Sequence, residues 1–318
     1  MLVNILLSVA GFALLIKCAD FFVDGAASFA KNFKISTTVI GLTIVAFGTS
    51  APELAISFNS HLMGNADMLF GNVIGSNIAN ILVIFGLAIL IKPFKIHDDV
   101  KKKEIPLLLL ITVGMSILFL DNFFDTRATN SLSRADGAIL ILFFTIFVYY
   151  LITILKNGRG KHEDAAPPKY KLPMSILMIL LGLAGIIIGS HLVVEHVALF
   201  AAAIGISQKI ISVTIVSIGT SLPELVTTVV AAKKGENNMA IGNIVGSNIF
   251  NTCIVLGLPV VLLGEISTTA FNIIDAVFML AAVFLFWICS AIKRDIRRSD
   301  ALVFLALYVA YGTYIFLQ

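Results

Sequence analysis

Two stretches of this 318-residue chain repeat one sequence pattern. Residues 48–87 read GTSAPELAISFNSHLMGNADMLFGNVIGSNIANILVIFGL, and residues 219–258 read GTSLPELVTTVVAAKKGENNMAIGNIVGSNIFNTCIVLGL. The offset is 171 residues without a gap, and 17 of the 40 positions are identical. The identical residues include Gly, Pro, Glu, Asn and Ser, which apolar segments normally avoid, so shared hydrophobicity does not explain the match. The chain is therefore predicted to contain two related halves.

Apolar stretches of roughly 20 residues, long enough to cross a bilayer, recur along the whole chain. We predict ten membrane spans, at residues 3–29, 36–61, 68–91, 105–120, 135–155, 173–200, 208–232, 239–263, 270–292 and 300–317. With 58% hydrophobic and 13% charged residues, the chain has too few charges to cover a water-facing surface. The sequence thus predicts an all-α polytopic membrane protein whose loops are too short for a soluble domain.

Basic residues are distributed unevenly between the predicted loops. Eighteen of the 22 Lys and Arg residues follow odd-numbered spans, whereas Arg127, Arg134 and Lys209 lie on the other side. The positive-inside rule then makes the lysine-rich loops cytoplasmic and places both termini outside the cytoplasm, in a cell (inner) membrane. Because spans separate the lysines, they form no single basic patch, and no nucleic-acid partner is expected.

Each half contains five predicted spans, an odd number, so the second half must enter the membrane from the opposite face. We expect a first five-helix repeat at residues 1–155, a cytoplasmic linker at 156–172, and a second, inverted repeat at 173–318. Inverted repeats of this kind are a recurring architecture of secondary transporters.

The repeated GTS-x-PE motif lies in the middle of predicted spans 2 and 7. Pro52 and Pro223 each remove a backbone donor, so both helices are expected to be broken there. One residue later, Glu53 and Glu224 place a carboxylate near mid-depth. A charge at that depth is costly without a partner. Since Lys17 is the only Lys or Arg inside a predicted span apart from Lys209 at the very start of span 7, a bound cation is the expected partner.

The second repeated motif, G-N-x-x-GSN-I-x-N, lies in predicted spans 3 and 8. Ser76 and Asn80 are four residues apart, as are Ser247 and Asn251, so each pair shares one helix face. Carboxylates, hydroxyls, amide carbonyls and free backbone carbonyls together make an all-oxygen set, which suits a hard cation such as Ca²⁺. No thiolate or imidazole cluster favours zinc or copper.

Structural roles account for some of these residues when each is taken alone. A Gly-x-x-x-Gly run is usually a helix-packing feature, and an isolated intramembrane Asn more often joins helices than binds a ligand. Asp20, Asp24 and Glu195 carry a weaker signal, because each could lie at a helix end in water. The recurrence of a mid-span Glu with the same neighbours in both halves favours a functional role for Glu53 and Glu224.

Together, the doubled motifs resemble the alpha repeats of the calcium/cation antiporter superfamily, particularly its sodium/calcium exchanger branch. The resemblance covers both halves and implies Ca²⁺ export driven by inward Na⁺ flow, with alternating access between two faces. It implies that Glu53 and Glu224 are central carboxylates shared by Ca²⁺ and Na⁺, and that Ala46 and Ser217 contribute backbone carbonyls. The remaining implied ligands are side chains with oxygen atoms: Thr49, Ser50, Thr220, Ser221, Ser76, Ser247, Asn80 and Asn251.

The chain departs from some members of that superfamily at Asn251. The potassium-dependent branch characteristically carries Asp there, whereas both repeat positions, Asn80 and Asn251, are Asn in this chain. Potassium dependence is therefore not expected. The proton/calcium branch typically places additional acids after the Gly-Asn pair, and their absence here counts against protons as the main driver.

These features predict a secondary active antiporter that exchanges Ca²⁺ for Na⁺. The alternatives are a Ca²⁺/H⁺ antiporter that protonates Glu53 and Glu224, or a passive cation channel. No intramembrane His pair or Ser-His arrangement supports an enzyme. The expected partners are Ca²⁺, Na⁺ and the lipid bilayer, with no cofactor and no obligate protein partner.

Overall fold

A computed structural model describes residues 2–93, 96–124, 129–156, 167–205, 217–292 and 296–317. Its longer helices are α1 (Leu2–Phe33), α2 (Thr37–Thr49), α3 (Ala51–Leu62), α4 (Ala66–Ile91), α5 (Ile105–Phe119), α6 (Arg134–Lys156), α7 (Leu172–Ala203), α8 (Leu222–Lys234), α9 (Asn237–Leu263), α10 (Ile273–Ile292) and α11 (Arg298–Leu317). Two single-turn helices, Asp121–Phe124 and Ser217–Thr220, accompany them. The chain is therefore predominantly helical, as its composition predicts.

Six of these helices are long and apolar enough to cross a membrane: α1, α4, α6, α7, α9 and α10. The pair α2 and α3 forms a seventh such segment that is bent by 45° at Ser50. Many large apolar side chains on these helices are exposed, for example Leu180 and Leu181 at 61% and 62%. Such an apolar surface fits contact with lipid. Residues 206–216, which include the start of predicted span 7, lie outside the described part of the chain. The count of ten spans stays a prediction.

Three short segments within the helices have the wider π-helical hydrogen-bonding pattern and lie near the repeated motifs. They are Gly41–Val45 in α2, Asn80–Ile84 in α4 and Asn251–Leu256 in α9. The second and third begin at residues that are 171 positions apart, so the two copies of the repeat share this distortion. A fourth π-helical segment, Val100–Glu104, leads into α5.

The chain packs into two compact units, each of which draws on both predicted halves. Unit 1 comprises Met1–Pro52 and Ile154–Asn243, and unit 2 comprises Glu53–Thr153 and Ile244–Gln318. These packing units differ from the two sequential repeats and the linker that the sequence predicts. The division into repeats describes how the chain is duplicated, and it stays a prediction. Residues 157–166 of the linker lie outside the described residues.

In unit 1, α1 and α7 pack along each other through small residues. A Cβ atom added to Gly182 would lie 2.8 Å from Phe22, and one added to Gly11 would lie 3.0 Å from the Gly189 carbonyl oxygen. The same unit holds a close contact between α2 and α9, where a Cβ atom on Gly41 would lie 2.5 Å from the Met239 carbonyl oxygen. Glycine at these points lets the helix backbones approach closely.

In unit 2, α10 packs against α5 and α11 packs against α4. Phe85 of α4 is central to this core, with ring centroids 4.5 Å from Phe286 and 5.2 Å from Phe304. Two short strands, β1 (Asn130–Leu132) and β2 (Ile266–Thr268), pair antiparallel in this unit. The expected all-α fold did not include this sheet, because three-residue strands are too short to produce a recognisable alternating pattern.

Three helices of unit 2 begin with the same local hydrogen bond. A backbone N–H donates to the carboxylate of an Asp three residues later, from Ser133 to Asp136 at 2.8 Å, and likewise from Asn272 to Asp275 and from Arg297 to Asp300. This bond resembles half of a capping box, in which a side chain in the first turn satisfies a free backbone donor. These aspartates thus fix where α6, α10 and α11 start.

Candidate functional site

The first GTS-x-PE motif forms the junction between α2 and α3. Ser50 is the single residue between the two helices, with φ −86° and ψ 8°, and its N–H donates to the Ala46 carbonyl at 3.0 Å. Pro52 follows at the second position of α3, where its missing N–H costs no helical hydrogen bond. Thr49 and Ser50 are fully buried at this junction. The motif therefore lies at a bend that carries two buried hydroxyl groups.

The second motif has the same local structure. Ser221 lies between the helix Ser217–Thr220 and α8 with φ −89° and ψ 7°, nearly the values of its repeat partner Ser50. Pro223 again occupies the first turn of the following helix. The Ser190 hydroxyl of α7 donates to the Gly219 carbonyl at 3.1 Å, which gives that carbonyl at the junction a partner. Ser217 begins the short helix, and its side chain lies outside the described part.

Glu224 carries the carboxylate of the second motif, in unit 1, and is 2% exposed. Its Oε1 atom accepts a 2.9 Å hydrogen bond from the Ser50 hydroxyl. Its Oε2 atom is buried and has no hydrogen-bond partner among the residues that the structure describes. Because Glu224 lies in the first turn of α8, the helix dipole favours its negative charge. An oxygen that is buried without a partner is costly, so this atom is the strongest candidate in unit 1 for contact with a cation.

Glu53 carries the corresponding carboxylate of unit 2 and is 0% exposed. It lies in the first turn of α3, as Glu224 does in α8. Fully buried carboxylates in a membrane protein are expected to meet a positive charge. Both glutamates of the repeated motif are thus buried in the first turn of the helix that begins beside it.

Asn80 and Asn251 lie in unit 2, each at the first residue of a π-helical segment. Each residue is 1% exposed, and neither amide oxygen nor amide nitrogen has a hydrogen-bond partner among the described residues. Such distortions often accompany functional sites. The two GSN serines are also buried, Ser76 at 3% and Ser247 at 0% exposed. The second motif therefore places four buried polar side chains in unit 2.

The predicted ligands are thus distributed over both units. Unit 1 contains Ala46, Thr49, Ser50, Thr220, Ser221 and Glu224, and unit 2 contains Glu53, Ser76, Asn80, Ser247 and Asn251. The Ala46 carbonyl accepts from the Ser50 N–H, and its oxygen lies 3.3 Å from the Thr49 hydroxyl oxygen. Among the residues that the structure describes, no three His, Cys, Asp or Glu side chains group as metal ligands. A cation at these residues would therefore rely on hydroxyl and amide oxygens beside a carboxylate.

Two asparagines of the Gly-Asn pairs have contacts that the sequence did not predict. Asn72 donates to the Glu53 carbonyl at 2.9 Å and to the Ser57 hydroxyl at 3.0 Å. Asn243 donates to the Glu224 carbonyl at 3.4 Å and to the Thr228 hydroxyl at 2.9 Å. Every residue of the second set lies 171 positions after its counterpart. The repetition of Gly-Asn in both motifs was the available signal, because a hydroxyl also recurs four residues after each Glu.

Comparison with known proteins agrees with these observations. The model of the sodium/calcium exchanger protein family matches residues 3–153 and 174–317. A putative antiporter, CaxA, of Alkalimonas amylolytica is 36% identical, with 99% of each chain covered. The sodium/calcium exchanger MaX1 of Methanosarcina acetivorans is 30% identical, also over 99% of each chain. A solved structure of the sodium-calcium exchanger NCX_Mj, soaked with zero Na⁺ and Ca²⁺, is 30% identical, covers 99% of each chain and superimposes with a TM-score of 0.84. The chain belongs to the sodium/calcium exchanger protein family.

Proposed function

We propose that the protein is a secondary antiporter that exchanges Ca²⁺ for Na⁺ across a cell membrane. The observation that carries this proposal is the buried Glu224 carboxylate, of which one oxygen accepts from Ser50 and the other has no hydrogen-bond partner among the described residues. Membership in an exchanger family supports the transport of cations. The names of MaX1 and NCX_Mj, both sodium/calcium exchangers, support Ca²⁺ and Na⁺ as the ions.

The proposed ion ligands are oxygens of twelve residues in or beside the two repeated motifs. In unit 1 these are the Glu224 carboxylate with Ser50, Thr49, Thr220, Ser221 and the backbone carbonyls of Ala46 and Ser217. In unit 2 they are Glu53 with Ser76, Ser247, Asn80 and Asn251. Hydroxyl, amide and carboxylate oxygens suit Ca²⁺, which takes six to eight of them. Asn at positions 80 and 251 supplies neutral oxygens, which supports exchange without a potassium requirement.

Alternating access is the proposed transport mode. The bend at Ser50 and the matching backbone at Ser221 resemble the discontinuous helices of secondary transporters, where ions bind at mid-membrane. We also propose that the two repeats are inverted, that spans 2 and 7 are broken helices, and that both termini lie outside the cytoplasm. An inward Na⁺ gradient would then drive Ca²⁺ out of the cell.

Ion flux into proteoliposomes with defined gradients tests the coupling. We expect vesicles loaded with Na⁺ to accumulate radioactive Ca²⁺ when diluted into Na⁺-free buffer at equal pH. A pH gradient alone should drive little uptake. Ca²⁺ uptake that depends on the pH gradient and does not change with the Na⁺ gradient would identify a Ca²⁺/H⁺ antiporter. Ca²⁺ flux that follows an imposed voltage without any counter-ion would identify a channel.

A further inference from the structure

Asn72 and Asn243 each hydrogen-bond to two groups of the helix that carries a repeated Glu. In α3, the Glu53 carbonyl and the Ser57 side chain are separated by four residues and therefore lie on one helix face. The Asn72 amide nitrogen has two hydrogens and donates one to each of these groups. Asn243 does the same to Glu224 and Thr228 of α8. Each amide therefore holds one turn of the carboxylate-bearing helix at two points.

We infer that Asn72 and Asn243 are positioning residues that fix the direction of the Glu53 and Glu224 carboxylates for cation binding. Two bonds to one helix face restrict rotation of that helix about its axis. Because each Glu lies in the turn that is held, the same bonds restrict where its carboxylate points. This inference rests on the proposed function, in which those carboxylates bind the transported cation.

Unit 1 gives Asn243 an additional connection. Its amide oxygen accepts a hydrogen bond from the Thr49 hydroxyl at 3.3 Å, and the next residue, Ser50, donates to the Glu224 carboxylate. Asn243 is 1% exposed. It therefore joins the end of α2 to the first turn of α8 through three hydrogen bonds. The amide oxygen of Asn72 has no such partner among the residues described, so loss of Asn243 should have the larger effect.

The chain offers a matched control for an asparagine on the same helix. Asn248, also 1% exposed, lies five residues after Asn243, and its amide donates at 2.7 Å to the Ile244 carbonyl of its own helix. Replacing Asn248 by Ala removes an equally buried amide without releasing the turn that carries Glu224. Thr228→Val serves as a milder test of the contact, because it keeps the side-chain shape and removes one of the two groups that Asn243 holds.

Titration calorimetry of the purified protein with CaCl₂ separates positioning from a purely structural role. A structural role would lower the fraction of protein that binds Ca²⁺ and leave the Kd of the folded fraction unchanged. We expect Asn243→Ala to raise the Kd for Ca²⁺ by about 10-fold, as for groups that orient metal ligands. Thr228→Val should raise it less, and Asn248→Ala should leave it at the wild-type value.

An unchanged Kd in Asn243→Ala would overturn the inference. Should that variant fail to fold, unchanged Kd values in both Thr228→Val and Asn72→Ala would overturn it instead. The titration does not depend on which counter-ion drives transport. The absence of Na⁺-driven flux in the wild type would therefore refute the proposed exchange, whereas the positioning role is tested independently by the Kd for Ca²⁺.

Discussion

The Ser50 hydroxyl donates a 2.9 Å hydrogen bond to Oε1 of Glu224, which joins the junction in the first copy of the repeat to the carboxylate of the second. The two residues are 174 positions apart in the sequence and are both buried within unit 1. Hydrogen bonds to a charged group are among the stronger ones in proteins. The bond fixes one carboxylate oxygen and leaves Oε2 as the atom that is available to a cation.

Ser50→Ala should therefore weaken Ca²⁺ binding, by a Kd increase on the order of 10-fold, because the carboxylate loses the donor that orients it and a neighbouring hydroxyl oxygen disappears. Titration calorimetry measures the change. Ser290→Ala is the matched control, since Ser290 is equally buried and its hydroxyl bonds within its own helix to Phe286. A Kd in Ser50→Ala equal to that of the control would contradict this role.

An ion-pair network in unit 1 predicts an effect on stability. Asp24 of α1 pairs with Lys169 at 2.7 Å and with Lys234 at 2.6 Å, and Lys234 also pairs with Asp20. The weak signal of the sequence for Asp20 and Asp24 thus has a structural explanation in these pairs. The hydrogen bond to Asp24 raises the pKa of Lys169. The pair therefore contributes stability below the unfolded pKa of lysine, and this contribution is lost as pH rises through the raised value.

Asp24→Asn should lower the Tm in detergent by a few degrees at neutral pH, and the difference from wild type should shrink at high pH, where Lys169 loses its proton. The Tm is measured by thermal unfolding, monitored with a fluorescent dye that does not react with cysteine thiols. Asp98→Asn is the control, because Asp98 is 76% exposed and lies 3.9 Å from Lys101. Equal Tm values for the two variants across this pH range would show that the Asp24 network does not stabilise the fold.

Asn251 gives a prediction about pH. Asn251→Asp would add a carboxylate to unit 2, which already contains the buried Glu53. At high pH the added charge should tighten Ca²⁺ binding, and at low pH its protonation should remove most of that gain. The Kd for Ca²⁺ should then vary more steeply with pH than in wild type. Curves that run parallel would mean that Asn251 joins helices and does not contact the ion.

The basic-residue asymmetry predicts the orientation in the membrane. In a variant whose three native cysteines, Cys18, Cys253 and Cys289, are replaced, a cysteine at the exposed Pro167 should react only with a reagent applied from the cytoplasm. A cysteine at the exposed Asn122 should react from the outside. The opposite labelling pattern would contradict the proposed orientation of the termini.

The local features of the candidate site could be predicted, because they depend on neighbouring residues. Pro52 and Pro223 each lie in the first turn of a helix, and the chain bends by 45° at Ser50, two residues before Pro52. The contacts of Asn243 could not be predicted in the same way. They join segments that are 15 to 194 residues apart, and only packing decides which side chains meet. The short β1–β2 pair was missed for the same reason, since its partners lie in distant loops.

The two buried carboxylates, Glu53 and Glu224, are central to the proposed site, so Na⁺-driven Ca²⁺ uptake by their neutral variants is its most direct test. Glu53→Gln and Glu224→Gln should each abolish uptake in proteoliposomes while the protein stays folded, because Ca²⁺ would lose a neutralising charge in a medium of low dielectric. Glu265→Gln, a change at an exposed loop residue, should transport as the wild type does. Wild-type uptake by either folded Glu53→Gln or Glu224→Gln would contradict the proposed site.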